Sequence, residues 1–271
     1  MIMAGIRPRL TQTWYRLLGY GLNGRCMDVF PDDVYLVGYP KSGNTWLDFL
    51  VACLLAPRCE DVNFFCVEEF VADIYFNNAK QLKSMDRPRY FKSHESYDVR
   101  YEKVVYIVRD PRDVAVSYYY HHIKLRMIHE DASLSDFVSR FVSGEIGRQC
   151  GWGEHVREWL DHFQSETDFL LVRYEDLKKN NHNELSRIAQ FLNIAVSDQR
   201  LENAVRWCLP ENMRRIEQKE QGEHPALKHT RVDVPFVRKA ISGGWRSELQ
   251  ITDVRKISDR WGDVMAMLNY E

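Results

Sequence analysis

Three short segments of the sequence combine cationic, hydroxyl and imidazole side chains at spacings that suit anion chemistry. The first, residues 39–46, reads Tyr-Pro-Lys-Ser-Gly-Asn-Thr-Trp. A small loop before a helix offers free backbone N–H groups and the positive end of the helix dipole. Lys41, Ser42 and Thr45 add donors, and Gly43 lets the backbone approach an anion closely. We interpret this anion loop as a phosphate site; a plain structural turn is the alternative.

The second segment, residues 109–117, reads Arg-Asp-Pro-Arg-Asp-Val-Ala-Val-Ser. Asp110 suits a helix N-cap and Pro111 suits the first helical position. Arg109 and Ser117 then lie near enough to share a ligand, so we expect a second phosphate between them. An ordinary capped helix would carry the same capping signal.

The third segment, residues 91–95, places Lys92 and His94 two positions apart on an extended stretch, where both side chains point the same way. A histidine beside a hydroxyl can act as a general base, and a lysine can neutralise a leaving group. A lone histidine is usually structural. We give that interpretation to the eight others: His121, His122, His129, His155, His162, His182, His224 and His229.

Apolar patterning predicts the elements that hold these segments. Short apolar runs predict buried strands at 34–39, 89–91, 104–108 and 169–172. Helical spacing of apolar residues predicts helices at 46–55, 134–141, 156–163, 185–192 and 254–268. Strands that alternate with helices predict an α/β fold, with a central, mainly parallel β-sheet flanked by helices. Ligands of such sheets bind at the carboxyl ends of the strands, where all three segments lie.

Composition excludes several classes of protein. The 37 Lys and Arg against 39 Asp and Glu give a net charge of −2, which argues against a nucleic-acid partner. No stretch approaches the roughly 18 to 20 apolar residues of a membrane span. The six cysteines include no C-x-x-C pair and no cluster for a metal, which predicts reduced thiols and a cytoplasmic location.

The 271 residues predict a single domain over 1–271, because no linker or composition shift divides them. Residues 1–27 carry four arginines and no acid, and we interpret them as a loosely attached arm; a targeting signal is the alternative.

Aromatic residues are dense at 64–76, where an apolar pocket for a small molecule and ordinary core packing are equally good interpretations. We interpret the acids among them, Glu68, Glu69 and Asp73, as a solvated face; acids at the pocket that favour a cationic or polyhydroxylated acceptor are the alternative. The stretch 218–234, with few apolar residues, predicts a gating loop.

Taken together, the motifs resemble the cytosolic-type, PAPS-dependent sulfotransferase family. The anion loop resembles the family's 5′-phosphosulfate loop YPKSGTTW, with Asn44 in place of the first Thr. Residues 104–119 resemble its 3′-phosphate motif. The matches to the shorter family motifs are 91–94 (K-[ST]-H), 174–177 (YEDL) and 237–246 (RKGxxGDWK).

The resemblance implies a P-loop-like sulfotransferase fold and transfer of a sulfuryl group from 3′-phosphoadenylyl sulfate (PAPS) to a hydroxyl or amine of a small, lipophilic or aromatic acceptor. The product nucleotide is PAP, and no metal is required. His94 would be the general base, with Lys41, Lys92 and Ser117 as the other catalytic residues. The cofactor contacts that the resemblance implies are Lys41, Ser42, Gly43, Asn44, Thr45, Trp46, Arg109, Ser117, Tyr174, Arg238 and Lys239. It leaves the oligomeric state open.

The sequence departs from the family pattern at several further places. Gly244 stands where the family often has Asp, and the family's C-terminal dimer motif, K-x-x-x-T-V-x-x-x-E, is not recognisable after Arg246.

Ala240 stands where the signature has glycine, so the backbone there is less free. Residues 208–210 align with the family's Thr-Ser-Phe stretch, which leaves nucleotide stacking to Trp46 and Tyr174. These departures keep a PAP- or PAPS-binding module without turnover as one alternative. A P-loop nucleotide kinase is the other, although the sequence lacks the Gly-Lys-[ST] of that motif.

Overall fold

The sheet lies at the centre of the computed structural model, which describes residues 27–146, 150–162, 168–224, 227 and 229–270. Within these residues five strands run parallel, in the order β2-β3-β1-β4-β5. The strands are β1 (Val34–Val37), β2 (Ala72–Asp73), β3 (Tyr90–Ser93), β4 (Lys103–Val108) and β5 (Phe169–Arg173). The α/β fold and all four predicted strands are confirmed, and only the two-residue β2 lacked a prediction.

Helices connect the strands and cover both faces of the sheet. Their bounds are α1 (Asn44–Leu55), α2 (Val67–Phe70), α3 (Ala79–Lys83), α4 (Pro111–Lys124), α5 (Leu134–Val142), α6 (Trp152–His162), α7 (Tyr174–Lys179), α8 (Asn181–Phe191), α9 (Asp198–Trp207), α10 (Pro210–Glu220) and α11 (Ile251–Met267). Short 3-10 turns lie at Cys59–Asp61 and Gly244–Ser247. Asp110 caps α4 as predicted, since its carboxylate accepts the Arg112 N–H at 2.9 Å.

Successive residues of the central strands enter opposite layers of the core. Tyr106 of β4 packs in the layer that α4, α5, α6 and α11 cover, whereas Ile107 packs against α1, α8, α9 and α10. Both faces are therefore apolar, which explains why the strands read as continuous apolar runs rather than alternating ones.

Pairing register brings the three chemical segments to one edge. Val37, the last residue of β1, lies opposite Ser93 of β3 and Tyr106 of β4. The residues that follow these strands therefore emerge side by side at the carboxyl edge, and they begin the three segments predicted to hold anions and catalysis.

A buried ion pair fixes this register at the opposite edge. Arg89, just before β3, donates to both carboxylate oxygens of Asp33, just before β1, at 2.8 and 2.5 Å. Both side chains are fully buried, and Arg89 also donates to the carbonyls of Leu82 and Asp28 at 2.8 Å. Each of the three guanidinium nitrogens thus donates at least one hydrogen bond, as a buried charge requires.

Some predicted segments lie outside the described residues or differ from the structure. Residues 1–26 of the predicted arm, and Phe163, lie outside the described residues. The predicted gating loop begins inside α10, and Leu227 within it is buried. No described helix is long and apolar enough to cross a membrane.

Replacing Arg89 by Met should lower the free energy of unfolding by about 3–5 kcal/mol, because the Asp33 carboxylate stays buried without its partner. Urea denaturation measures this. The matched control is Arg87→Met, which breaks the exposed pair with Asp32 and should cost at most about 1 kcal/mol. Equal losses in the two variants would contradict the anchoring role of Arg89.

Candidate functional site

A cavity of about 470 Å³ opens at the carboxyl edge of the sheet. Nearly all of the predicted site residues line it. They are Lys41, Gly43, Asn44, Thr45, Trp46, Lys92, His94, Arg109, Ser117, Tyr174, Arg238 and Lys239. The exception is Ser42, whose side chain is fully enclosed and whose Oγ finds no hydrogen-bond partner among the described residues.

The anion loop takes a left-handed backbone at two positions, Lys41 (φ 71°) and Gly43 (φ 110°). Gly43 is the N-cap of α1 and offers no side chain to cap the helix. The N–H groups of the first turn are therefore not satisfied by the cap residue, as an anion site requires. A Cβ atom on Gly43 would lie 2.7 Å from Cδ2 of Tyr174, so only glycine fits beneath this ring.

Asn44 holds the loop from within. Its Nδ2 donates to the Gly38 carbonyl at 3.2 Å, and the side chain is buried. This contact ties the first residue of α1 to the residue that follows β1.

Lys41 is a cation in apolar surroundings. Its Nζ lies 4.3 Å from the centre of the Phe236 ring. Burial, together with the nearby charges of Lys92 and Arg109, lowers the pKa of Lys41 to about 7. Within the described part of the chain no carboxylate lies within ion-pair distance of it, so an incoming anion is the natural counter-charge.

Lys92 has carboxylate partners, in contrast to Lys41. Its Nζ lies 3.2 Å from Oδ2 of Asp73 and 3.8 Å from Oδ2 of Asp48. Although burial opposes the charge, these carboxylates raise the pKa of Lys92 and keep it protonated. Burial raises the pKa of Asp48 to about 7.

The interpretation of the acids at 68–73 as a solvated face is wrong for two of the three. Asp73 is 4% exposed and Glu68 is half-buried, and both line the cavity, whereas Glu69 is exposed as expected. The ion pair with Lys92 accounts for the burial of Asp73, because a buried carboxylate needs a cation nearby.

His94 is oriented by two contacts. Its Nδ1 lies 2.7 Å from the Gly38 carbonyl, which can only accept, so we assign the proton of the neutral ring to Nδ1. Nε2 then carries the lone pair that a general base needs. The His94 N–H donates to the Tyr75 hydroxyl at 2.8 Å, and the two rings lie parallel.

Arg109 and Ser117 face the same cavity, as predicted. The guanidinium of Arg109 lies over the Tyr174 ring at 4.2 Å and donates to the Ile241 carbonyl at 2.9 Å. Its Nε is buried without a hydrogen-bond partner in the described residues. This orphaned donor indicates a ligand, because buried polar groups are nearly always satisfied.

Two aromatic rings connect the anion loop to Arg109. Trp46 meets Tyr174 edge to face at 5.5 Å, and its Nε1 donates to the Cys208 carbonyl at 3.1 Å. Tyr174 in turn touches both Gly43 and Arg109. The two rings therefore offer a stacking surface between the anion loop and the guanidinium of Arg109.

The carboxylate of Glu248, which sequence reasoning missed, holds both predicted cations of the C-terminal segment. Its Oε1 accepts from Arg238 at 2.7 Å and from Lys239 at 2.6 Å, and Oε2 accepts from the Tyr120 hydroxyl at 2.8 Å. Although burial opposes ionisation, these donors lower the pKa of Glu248 to about 2.

The rest of this segment is fastened to α4. Asp113 accepts the N–H groups of Gly243 and Trp245 at 2.7 and 2.9 Å. Ala240 has a φ of 52°, a left-handed backbone that favours glycine. This conformation accounts for the glycine of the family signature, and Ala240 adopts it against the steric preference of a residue with a Cβ atom.

A fully buried ion pair supports the floor of the cavity. Lys124 lies 3.0 Å from Glu217 and donates to the Val234 carbonyl at 2.8 Å. Glu217 accepts the N–H groups of Phe236 and Val237 at 2.6 and 3.1 Å. The pair therefore positions Phe236 beneath Lys41. Its members are distant in sequence and carried no motif.

The aromatic stretch divides between pocket and core. Phe64, Tyr75 and Phe76 line the cavity, whereas Phe65 is 43% exposed and Phe70 packs against the core. Two of the histidines interpreted as structural, His121 and His224, also line the cavity. Among the described residues, no group of three or more His, Cys, Asp or Glu is placed to hold a metal ion.

Comparisons with known proteins bear on this cavity. The family model described as "Sulfotransferase domain" matches residues 31–268. Sulfotransferase 1E1 of Cavia porcellus is 27% identical over 250 residues, which cover 87% of this chain and 84% of that protein. The crystal structure of mouse sulfotransferase SULT7A1 complexed with PAP has a TM-score of 0.70 at 25% identity, over 86% of each chain. Retinol dehydratase in complex with androsterone and inactive cofactor PAP has a TM-score of 0.73 at 21% identity, over 96% of this chain and 85% of that one.

Replacing Gly43 by Ala should destabilise the protein by about 2 kcal/mol or more, because the left-handed backbone and the Tyr174 ring both oppose a Cβ atom. Chemical denaturation measures the loss. Gly222→Ala is the control: a Cβ there meets nothing within 4 Å, so a change below about 1 kcal/mol is expected. A Gly43 variant as stable as the control would show that the loop does not need this close approach.

Proposed function

The chain belongs to the sulfotransferase family, and we propose that it transfers the sulfuryl group of PAPS to a hydroxyl or amine of a small aromatic or lipophilic acceptor. The observation that carries this proposal is the meeting of an uncapped helix N-terminus, three cations and an oriented histidine in one cavity. Lys41, Lys92 and Arg109 supply the charges, and His94 supplies the base.

The cavity suits a nucleotide with two phosphate groups. The anion loop and the Arg109–Ser117 pair are separate anion features, and Tyr174 contacts both. We assign the 5′-phosphosulfate to the loop and the 3′-phosphate to Arg109 and Ser117. The rings of Trp46 and Tyr174 would flank the adenine. Arg238 and Lys239 would reach the 3′-phosphate once they part from Glu248.

When bound, PAPS supplies an electrophilic sulfur and a stable phosphate leaving group. His94 receives the proton of the acceptor hydroxyl at Nε2 as the new oxygen–sulfur bond forms and the bond to the phosphate oxygen breaks. The Gly38 carbonyl stabilises the resulting imidazolium, since it accepts from Nδ1.

Lys41 and Lys92 bind the oxygens that gain charge during transfer. Asp73 and Asp48 keep Lys92 protonated and fix its position, so it is ready without reorganisation. This in-line transfer resembles phosphoryl transfer, in which positioning and cationic donors supply most of the catalysis. The cytoplasmic location and the independence from metal stay predictions.

Labelled PAPS and a broad panel of phenols and alcohols test the function. Wild type should transfer label, and His94→Gln should lower kcat by about 10²- to 10⁴-fold while the Kd for PAP stays within a few-fold. His129→Gln, at an exposed histidine, is the control and should keep full activity.

Each outcome that contradicts this expectation points to a different explanation. Transfer that survives His94→Gln would contradict the general-base role. PAP binding without transfer to any acceptor would identify a binding module. Mg²⁺-dependent ATP turnover would identify a nucleotide kinase.

Binding of PAP should take up a proton above pH 7. Free Lys41 has a pKa of about 7, and a bound phosphate raises it, so at pH 8 a proton must be added on binding. Affinity should therefore fall by up to about tenfold per pH unit above pH 7, where the phosphate groups of PAP are already largely ionised. Calorimetry in buffers of different ionisation enthalpy measures the uptake.

The control for this experiment is Lys41→Met, which should abolish the proton uptake and flatten the pH dependence. Uptake that persists in this variant would assign the titration to another group.

A further inference from the structure

We propose that His121 is a second hydrogen-bonding contact for the acceptor, so that the preferred acceptor is an aromatic compound with a further hydroxyl besides the one sulfated. This inference rests on the proposed sulfotransferase function and names the substrate class of the same site.

His121 lies on the wall of the cavity. It is one helical turn beyond Ser117 on α4, so the two side chains share a face of the helix, and both line the cavity. Since Ser117 is assigned to the nucleotide, the next turn of the same face offers His121 to a second ligand in the cavity.

The imidazole of His121 has an unsatisfied nitrogen. Nδ1 is buried and finds no hydrogen-bond partner among the described residues. The neighbouring His122 shows the contrast, because its Nδ1 pairs with the Tyr118 carbonyl at 2.9 Å. An unpaired buried nitrogen costs about 1–3 kcal/mol, which a ligand hydroxyl would recover.

The position of His121 relative to the anion loop follows from the ring of Phe236, which contacts both His121 and Lys41. Phe236 meets His121 edge to face at 5.7 Å and carries the Lys41 Nζ 4.3 Å from its centre. His121 is thus separated from the cation of the anion loop by a single aromatic ring. An acceptor beside Lys41 is within reach of it.

The charge state of His121 selects the chemistry of the contact. Burial, with the charges of Lys41 and Lys124 nearby, lowers the pKa of His121 to about 2. The ring is therefore neutral at physiological pH, with one donor and one acceptor nitrogen. A hydroxyl, which both donates and accepts, matches a neutral imidazole better than a carboxylate or a phosphate does.

The remaining walls favour an aromatic skeleton. Phe64, Tyr75 and Phe76 line the cavity, whose volume of about 470 Å³ is in the range of small-molecule sites. An acceptor with flat apolar rings, one polar group near His94 and another near His121 would be complementary to these walls.

The experiment compares 2-naphthol with the dihydroxynaphthalene isomers as acceptors at saturating PAPS. At least one isomer should have a kcat/KM about tenfold above that of 2-naphthol, the worth of one hydrogen bond. His121→Phe should remove this advantage, and His121→Gln should retain part of it. The Kd for PAP should stay unchanged in both, which also shows that the variants fold.

His122→Phe is the matched control, since His122 is the next residue of α4 and does not line the cavity. Its ratio of kcat/KM values should equal that of wild type. A ratio that His121→Phe and His121→Gln both leave unchanged, or a wild type without preference for any isomer, would overturn this inference alone. Failure of wild type to sulfate any acceptor would overturn the proposed function and this inference with it.

Discussion

The cations at the carboxyl edge of the sheet repel one another, and this repulsion must be offset before the site can form. Lys92, Arg109 and Lys124 each face a carboxylate: Asp73 at 3.2 Å, Asp113 at 3.8 Å and Glu217 at 3.0 Å, respectively. Lys41 lies over the face of Phe236, and no carboxylate of the described residues is within ion-pair distance of it. Of these four cations, Lys41 is therefore the one without a paired carboxylate, and its positive charge is available to a ligand.

The carboxylates that balance the cations also build the walls of the site. Asp113 accepts two N–H groups of the C-terminal segment, and Glu217 accepts the N–H groups of Phe236 and Val237. Removing one acid would leave a cation unpaired and a wall unfastened at once. The net charge of −2 for the whole chain hides this local arrangement, because the balance holds between particular pairs.

Local sequence predicted the strands and the three segments, because the pattern that identifies them, an apolar run followed by a turn, spans only about ten residues. Resemblance to a family supplied Arg238 and Lys239. Neither could indicate Glu248 or Glu217, because these residues depend on contacts between distant parts of the chain that no local pattern encodes. His121 did carry a local signal, its spacing of one helical turn from Ser117, but the sequence does not show how far along α4 the cavity extends. The enclosure of Ser42 likewise follows from tertiary packing.

The central claim is that two separate anion features bind the two phosphate groups of one nucleotide. The most direct test measures the Kd of PAP and of AMP, which lacks the 3′-phosphate, for wild type and for the double variant Arg109→Met/Ser117→Ala. Wild type should bind PAP about 100-fold or more tightly than AMP, as two charge-assisted contacts would give. The double variant should lose most of that difference and keep its affinity for AMP. Equal affinities for PAP and AMP in wild type, or a difference that the double variant retains, would contradict the account.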